Sequence, residues 1–112
     1  MPGPEIRALA EDVRTLAFGG IGANYADIGG VTENPIRVVM VKNATDTTIE
    51  VSWDGGATTV FRLPPGSHDT LDMTANQKGG GGLFLPVGVQ FQVRHTGVAP
   101  TSGEAIIQCF YG

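Results

Sequence analysis

An all-β domain of about eight antiparallel strands, a sandwich or jelly roll with a short N-terminal amphipathic helix, is predicted by three features of this sequence. Short apolar runs rich in β-branched and aromatic side chains are separated by turn residues along most of its length. Glycine and proline are frequent, 17 and 7 among 112 residues, which suits many tight turns better than a bundle of helices. Several runs alternate apolar and polar side chains with a period of two, the mark of a sheet with one face in a core.

Taken in order, the chain opens with its one helical pattern. From Pro4 to Phe18 the apolar residues Ile6, Leu9, Val13, Leu16 and Ala17 fall on one helical face. Pro4 suits a first turn, acids precede Arg14, and Gly19-Gly20 ends the run. A helix of about four turns is marginal alone and needs a surface, either its own sheet or a neighbouring subunit. The expected division is a helical arm over residues 1–19 and a β-sandwich over residues 20–112, sharing a single core.

Ile21 to Ile28 alternates loosely and reads as the first strand, after which Gly29-Gly30 and Asn34-Pro35 bracket an irregular link. The stretch from Asn34 to Leu63 forms a meander: a strand over Ile36 to Lys42, a turn at Asn43-Ala44-Thr45-Asp46, and a strand over Thr48 to Asp54. A glycine turn at Asp54-Gly55-Gly56 and a partner strand over Thr58 to Leu63 complete it. Ile49, Val51 and Trp53 share one face there, and Glu50 and Ser52 point the other way. Pro64-Pro65-Gly66 stops the run, and His68 to Met73 is a further strand. Thr74 to Gly82 is a glycine-rich loop expected to be mobile. Leu83 to Pro86, Val89 to His95 and Ala105 to Tyr111 supply the last strands, with Val89, Phe91 and Val93 inward.

The strands Ile36 to Lys42 and Ala105 to Tyr111 are apolar on both faces, whereas a sandwich buries one face of each sheet. The N-terminal helix covers part of the surplus in this reading, and a second copy covers the rest. Val39, Val41, Ile106 and Phe110 are therefore expected at a subunit interface.

The balance of 7 Lys+Arg against 11 Asp+Glu, a net charge of −4, opposes binding to nucleic-acid phosphates, and the cations do not cluster. No apolar run approaches the roughly 18 residues that span a bilayer, and no secretory signal pattern is present, so no membrane partner is expected. Cys109 is the single cysteine, which rules out an internal disulfide; it lies in an apolar strand as an inert buried thiol.

Candidate chemistry is sparse, and neither cofactor nor metal is expected. Ser52, His68 and Asp72 are the residue types of a hydrolytic triad, but the strained G-x-S-x-G turn is missing and Ser52 sits in mid-strand as a solvent-facing serine. His68, Asp69, Asp72 and His95 lack metal-ligand spacing, and turn capping is the better role for Asp46, Asp54 and Asp69. Lys78 precedes Gly79 to Gly82, the reverse of the order in a phosphate-binding loop. Trp53 and Tyr25 have the chemistry to stack on a sugar, yet Trp53 shares the face of Ile49 and Val51 and reads as core.

One likeness carries more. The succession Tyr25-Ala26-Asp27-Ile28-Gly29, Asn34-Pro35-Ile36-Arg37-Val38, Lys42-Asn43-Ala44-Thr45-Asp46, Val51-Ser52-Trp53-Asp54-Gly55, Leu71-Asp72-Met73-Thr74-Ala75-Asn76 and Leu85-Pro86-Val87-Gly88-Val89-Gln90-Phe91 resembles small structural proteins of tailed bacteriophages. The likeness is one of overall pattern and runs from residue 20 to residue 112. It implies a non-enzymatic virion component, made in the bacterial host cytoplasm and built in multiple copies into head, collar or tail. Its partners would be copies of itself and other virion proteins. In that setting the N-terminal arm docks on a neighbour through Ile6, Leu9, Val13 and Leu16. The competing expectation is a carbohydrate- or receptor-binding module in which exposed Phe61, Phe84 or Tyr111 and the glycine loop form a shallow site.

Overall fold

Turn residues cut the chain into short extended segments, each of which must find a backbone partner. The computed structural model describes residues 9–73 and 84–111. Among them are strands β1 (Leu9–Ala10), β2 (Arg14–Ala17), β3 (Ala26–Asp27), β4 (Val38–Asn43), β5 (Ile49–Ser52), β6 (Phe61–Leu63), β7 (His68–Asp72), β8 (Gln92–His95) and β9 (Glu104–Tyr111). All pairings are antiparallel. One sheet runs β1-β9-β4-β7 with β2 also on β9, and the other runs β3-β8-β5-β6.

β1 and β2 lie along β9 as one interrupted strand, joined by Glu11 N–H donating to the Cys109 carbonyl at 3.0 Å. Counted so, each sheet has four rungs and the pairs are nested: the first strand with β9, β3 with β8, β4 with β7, β5 with β6. Nested pairing of this kind is a long hairpin rolled onto itself, which is the jelly roll.

The core lies between the sheets. Val39, Val41, Ala105, Ile107 and Cys109 come from the first sheet and Ile49, Val51, Phe61, Leu63 and Val93 from the second. Ile21, Ile28, Ile36, Leu85 and Phe91, from the links, complete it. Trp53 packs against this core as expected, its ring edge-on to Phe61 and Phe91 at 6.2 and 6.0 Å. Burial pushes the Cys109 thiol up to about 11, in keeping with an inert side chain.

Several local expectations are corrected. The helix over Pro4 to Phe18 is absent from Leu9 onward, where β1, β2 and a 3₁₀ turn at Phe18–Gly20 stand instead; residues 4–8 lie outside the described residues. An isolated helix of that length needs an apolar bed, whereas β9 offered a free row of backbone donors and acceptors, and pairing won. The arm expected over residues 1–19 is thus, from Leu9, part of the first sheet. Val39 and Val41 point into the core at 0% and 1% exposure, so they are not interface residues. The surplus apolar side chains of β4 are their neighbours Val38 and Met40. The strand expected over Ile21 to Ile28 shrinks to β3, and Leu85 makes only an isolated bridge to Ile36. The glycine loop falls on residues outside those described.

The turn after β4 is held by a buried polar knot. Asn43, fully buried, donates through Nδ2 to the carbonyls of Thr47, Leu63 and Pro64 at 2.7, 2.9 and 3.1 Å, and its Oδ1 accepts from the N–H and hydroxyl of Thr45. One side chain so ties the β4–β5 turn to the end of β6. Gly103 adopts φ +88°, and a Cβ there would run into the Ala44 carbonyl, so β9 can start beside this turn only with glycine. Replacing Asn43 by alanine removes five hydrogen bonds at once and takes the Asn43 donor from the Leu63 carbonyl, while those of Thr47 and Pro64 keep Thr45 and Ser67 as donors. We expect a loss of about 3 kcal/mol in urea unfolding at unchanged m-value, and a loss below about 1 kcal/mol would mean that the knot is not a determinant of the fold.

Candidate docking surface at one end of the first sheet

Between β1 and β2 the chain swings off the sheet, and the charged side chains at its two ends turn inward. Arg14 stands opposite Ile107 on the core side of the sheet and is 7% exposed. A buried guanidinium needs acceptors, and the segment leading to β4 supplies them. Arg14 Nε donates to the Gly30 carbonyl at 3.0 Å, and Nη2 donates to Glu11 Oε1 at 2.7 Å and to the Val31 carbonyl at 3.2 Å. Its guanidinium carbon lies 5.5 Å from the Phe91 ring centre, a cation–π contact reaching the link before β8. Glu11 Oε2 accepts from the Glu33 N–H and from Asn34 Nδ2, both at 2.9 Å. Gly29, at φ +66°, lies against the Arg14 stem where a Cβ would collide with it. The Glu11–Arg14 pair therefore staples the N-terminal strand to residues 29–34.

Around this staple lies a depression of about 360 Å³ lined by Ala10 to Arg14, Gly29 to Val31, Glu33, Asn34 and Tyr111. Its apolar rim is exposed: Val13 is 50% and Val31 48% accessible. The carboxylates of Asp12 and Glu33 line it with no partner among the described residues, and on the Arg14 side Nη1 has none either.

Beside it, the outer face of the first sheet carries an apolar strip. Phe110 lies between Ala10 and Val38 across three strands, and Met40 and Ile106 continue the strip toward Lys42. Val38, Ile106 and Phe110 are half-buried, and Met40 is 42% exposed. Phe110 faces the strip, and its neighbour Tyr111, on the opposite face of β9, packs on the core and lines the depression.

The outer face of the second sheet is different. Glu50 is clamped by Arg94 at 2.7 Å and Arg62 at 3.4 Å, and Arg94 lies 4.5 Å over the Tyr25 ring. Gln92 donates to Asp27. Polar groups there answer one another.

Of the residues singled out from the sequence, Ile106 and Phe110 lie on the apolar strip, Leu9 and Val13 are exposed beside the depression, and Leu16 packs against the core. Ile6 is outside the described residues. Ser52 is buried rather than solvent-facing: its hydroxyl donates to Asp54 at 2.7 Å and accepts from the Gly56 N–H, so it belongs to the glycine turn. His68 and Asp72 are on β7 in the opposite sheet. Phe61 is in the core, while Phe84 is exposed and Tyr111 half-buried. Asp54 caps its own turn, accepting from Ser52 and Thr58, whereas Asp46 reaches across to the N–H and hydroxyl of Thr101 and ties two loops together. Among the described residues no three His, Cys, Asp or Glu side chains converge as metal ligands, and no helix is long and apolar enough to cross a membrane. The staple itself escaped the sequence reading, because Glu11 and Arg14 stand three apart and look like a helical surface pair.

Burial raises the Glu11 carboxyl, but hydrogen bonds from Arg14, Asn34 and the Glu33 N–H, with the Arg14 charge, outweigh it and leave the group below its ordinary value. A folded-state value below the unfolded one means that ionised Glu11 stabilises the fold at neutral pH, and that this contribution is lost as pH falls through the folded value. Glu11→Gln should therefore lower stability at about pH 6 and narrow its deficit against wild type by about pH 3, measured by thermal unfolding across that range. A deficit constant with pH would show that the charge is not what holds the staple. Comparison with known proteins finds no family model and no curated protein that matches this chain, which leaves the fold and this end of the first sheet as the ground for a functional reading.

Proposed function

We propose that this chain is a non-enzymatic structural component of a tailed-phage virion, present in multiple copies on head, collar or tail and held by apolar contacts between copies. The observation that carries the reading is the strip of Val38, Met40, Ile106 and Phe110 on the outer face of the first sheet, which no described segment of the chain covers. Apolar side chains neighbouring one another on two adjacent strands, with Gln108 and Lys42 beside them, gain by leaving water, and a flat sheet face offers them to a like surface. The second sheet turns its paired charges outward, so a copy docked through the first sheet still presents a hydrated face. The likeness of residues 20–112 to phage structural proteins supplies the setting, and the jelly roll is an architecture that also serves viral capsid domains.

Sedimentation equilibrium of the purified chain over a wide concentration range tests the self-association on which the reading depends. A mass above the monomer is expected, and Met40→Asp, which sets a charge in the strip without touching the core, should weaken association at least tenfold, roughly the worth of one buried methionine. A monomer at every concentration, or an oligomer indifferent to Met40→Asp, overturns assembly through this face.

A further inference from the structure

We infer that the depression beside β1 is the receptor for residues 1–8 of a second copy of this chain, with Ile6 set against Val13 and Val31 and Arg7 between Asp12 and Glu33. The inference rests on the reading of the protein as self-assembling and adds a second, polar contact to the apolar one.

Two observations converge on that occupant. The depression combines exposed apolar walls with two carboxylates, Asp12 and Glu33, that have no partner among the described residues. An apolar side chain next to a cation answers that combination, and Ile6-Arg7 is such a pair. The direction of β1 also bears on which molecule the segment enters. Leu9 stands opposite Tyr111 and Ala10 opposite Phe110, so a chain traced backward from Ala10 to Leu9 runs past the end of β9, away from Glu11 to Arg14. Entry into its own depression would require a reversal immediately before Leu9, whereas entry into a neighbour's needs none. Eight extended residues span roughly 26 to 29 Å, enough to cross to an adjoining copy, and Pro2 and Pro4 lower the entropy lost in holding such a segment.

Charge exchange between full-length chains tests this directly, read by sedimentation velocity at low salt. Arg7→Glu alone and Glu33→Arg alone should each weaken association about fivefold or more, since both leave like charges facing each other. Mixed in equal amounts, the two variants should recover association toward the wild-type level. The arm of the Arg7→Glu chain then meets the rim of the Glu33→Arg chain with opposite charges, and the unchanged Arg7 of the second chain meets the unchanged Glu33 of the first. Weakened singles whose mixture does not recover would place the arm in its own chain's depression and overturn the inference. Singles that associate like wild type, in a chain that Met40→Asp disperses, would overturn the arm contact and leave the apolar interface standing. A wild-type chain that remains monomeric would overturn both.

Discussion

The register between β4 and β9 is the constraint from which the remaining structure follows. Six consecutive residue pairs, Val38 with Phe110 through Asn43 with Ala105, align the two strands. That alignment sends Val39, Val41, Ile107 and Cys109 to one side and Val38, Met40, Ile106 and Phe110 to the other. Because side chains alternate with period two, a slip of one residue in either strand would bring half of each set to the wrong face. Both sets are apolar, so hydrophobicity alone does not choose the register. The choice is made at the Asn43 end, where the Ala44 N–H donates to the Glu104 carbonyl, Gly103 clears the Ala44 carbonyl, and the Asn43 side chain is bound by five hydrogen bonds. Polar geometry is directional where apolar packing is not, which is why it can set a register between two greasy strands.

The two sheets treat water in opposite ways. On the outer face of the second, Glu50 is nearly buried yet answered by two arginines, and Ser52 and Gln92 each have a local partner. Such a face gains little from further contact, since its charged groups are already paired and would be desolvated by a partner. The first sheet presents methionine, phenylalanine and isoleucine instead. This asymmetry supports an assembly role in which one face is spent on neighbours and the other remains hydrated.

At the N-terminus a buried ion pair decides how the chain is tethered. Burying Glu11 and Arg14 costs several kcal/mol of desolvation per ion, offset by the hydrogen bonds of Arg14 Nε and Nη2 and of both Glu11 carboxylate oxygens, with Arg14 Nη1 left over. What the pair adds is position: it holds the break between β1 and β2 against residues 29–34, and that break is the mouth of the depression. A tether of this kind fixes the edge strand without adding apolar surface to it.

Read alone, the sequence determined the all-β class, the hairpin of β5 and β6, the turns at Asn43 and Gly55, and the excess of apolar residues on the two strands now seen as β4 and β9; the meander expected between Asn34 and Leu63 breaks after β4, which pairs with β7 and β9 in the other sheet. Those features are local: turn chemistry and period-two alternation act over a few residues and need no knowledge of the rest of the chain. Only the tertiary structure decided that Leu9 to Ala17 pairs with β9 rather than coiling, because its apolar spacing is helical, with Arg14 and not Val13 buried in the strand, and the deciding partner lies near the other end of the chain. It alone also decided which member of each apolar pair faces the core, correcting Val39 and Val41 inward, and it alone built the depression, whose walls come from three separated stretches of chain. Facing and concavity are properties of contacts between distant segments, and no run of neighbouring residues encodes them.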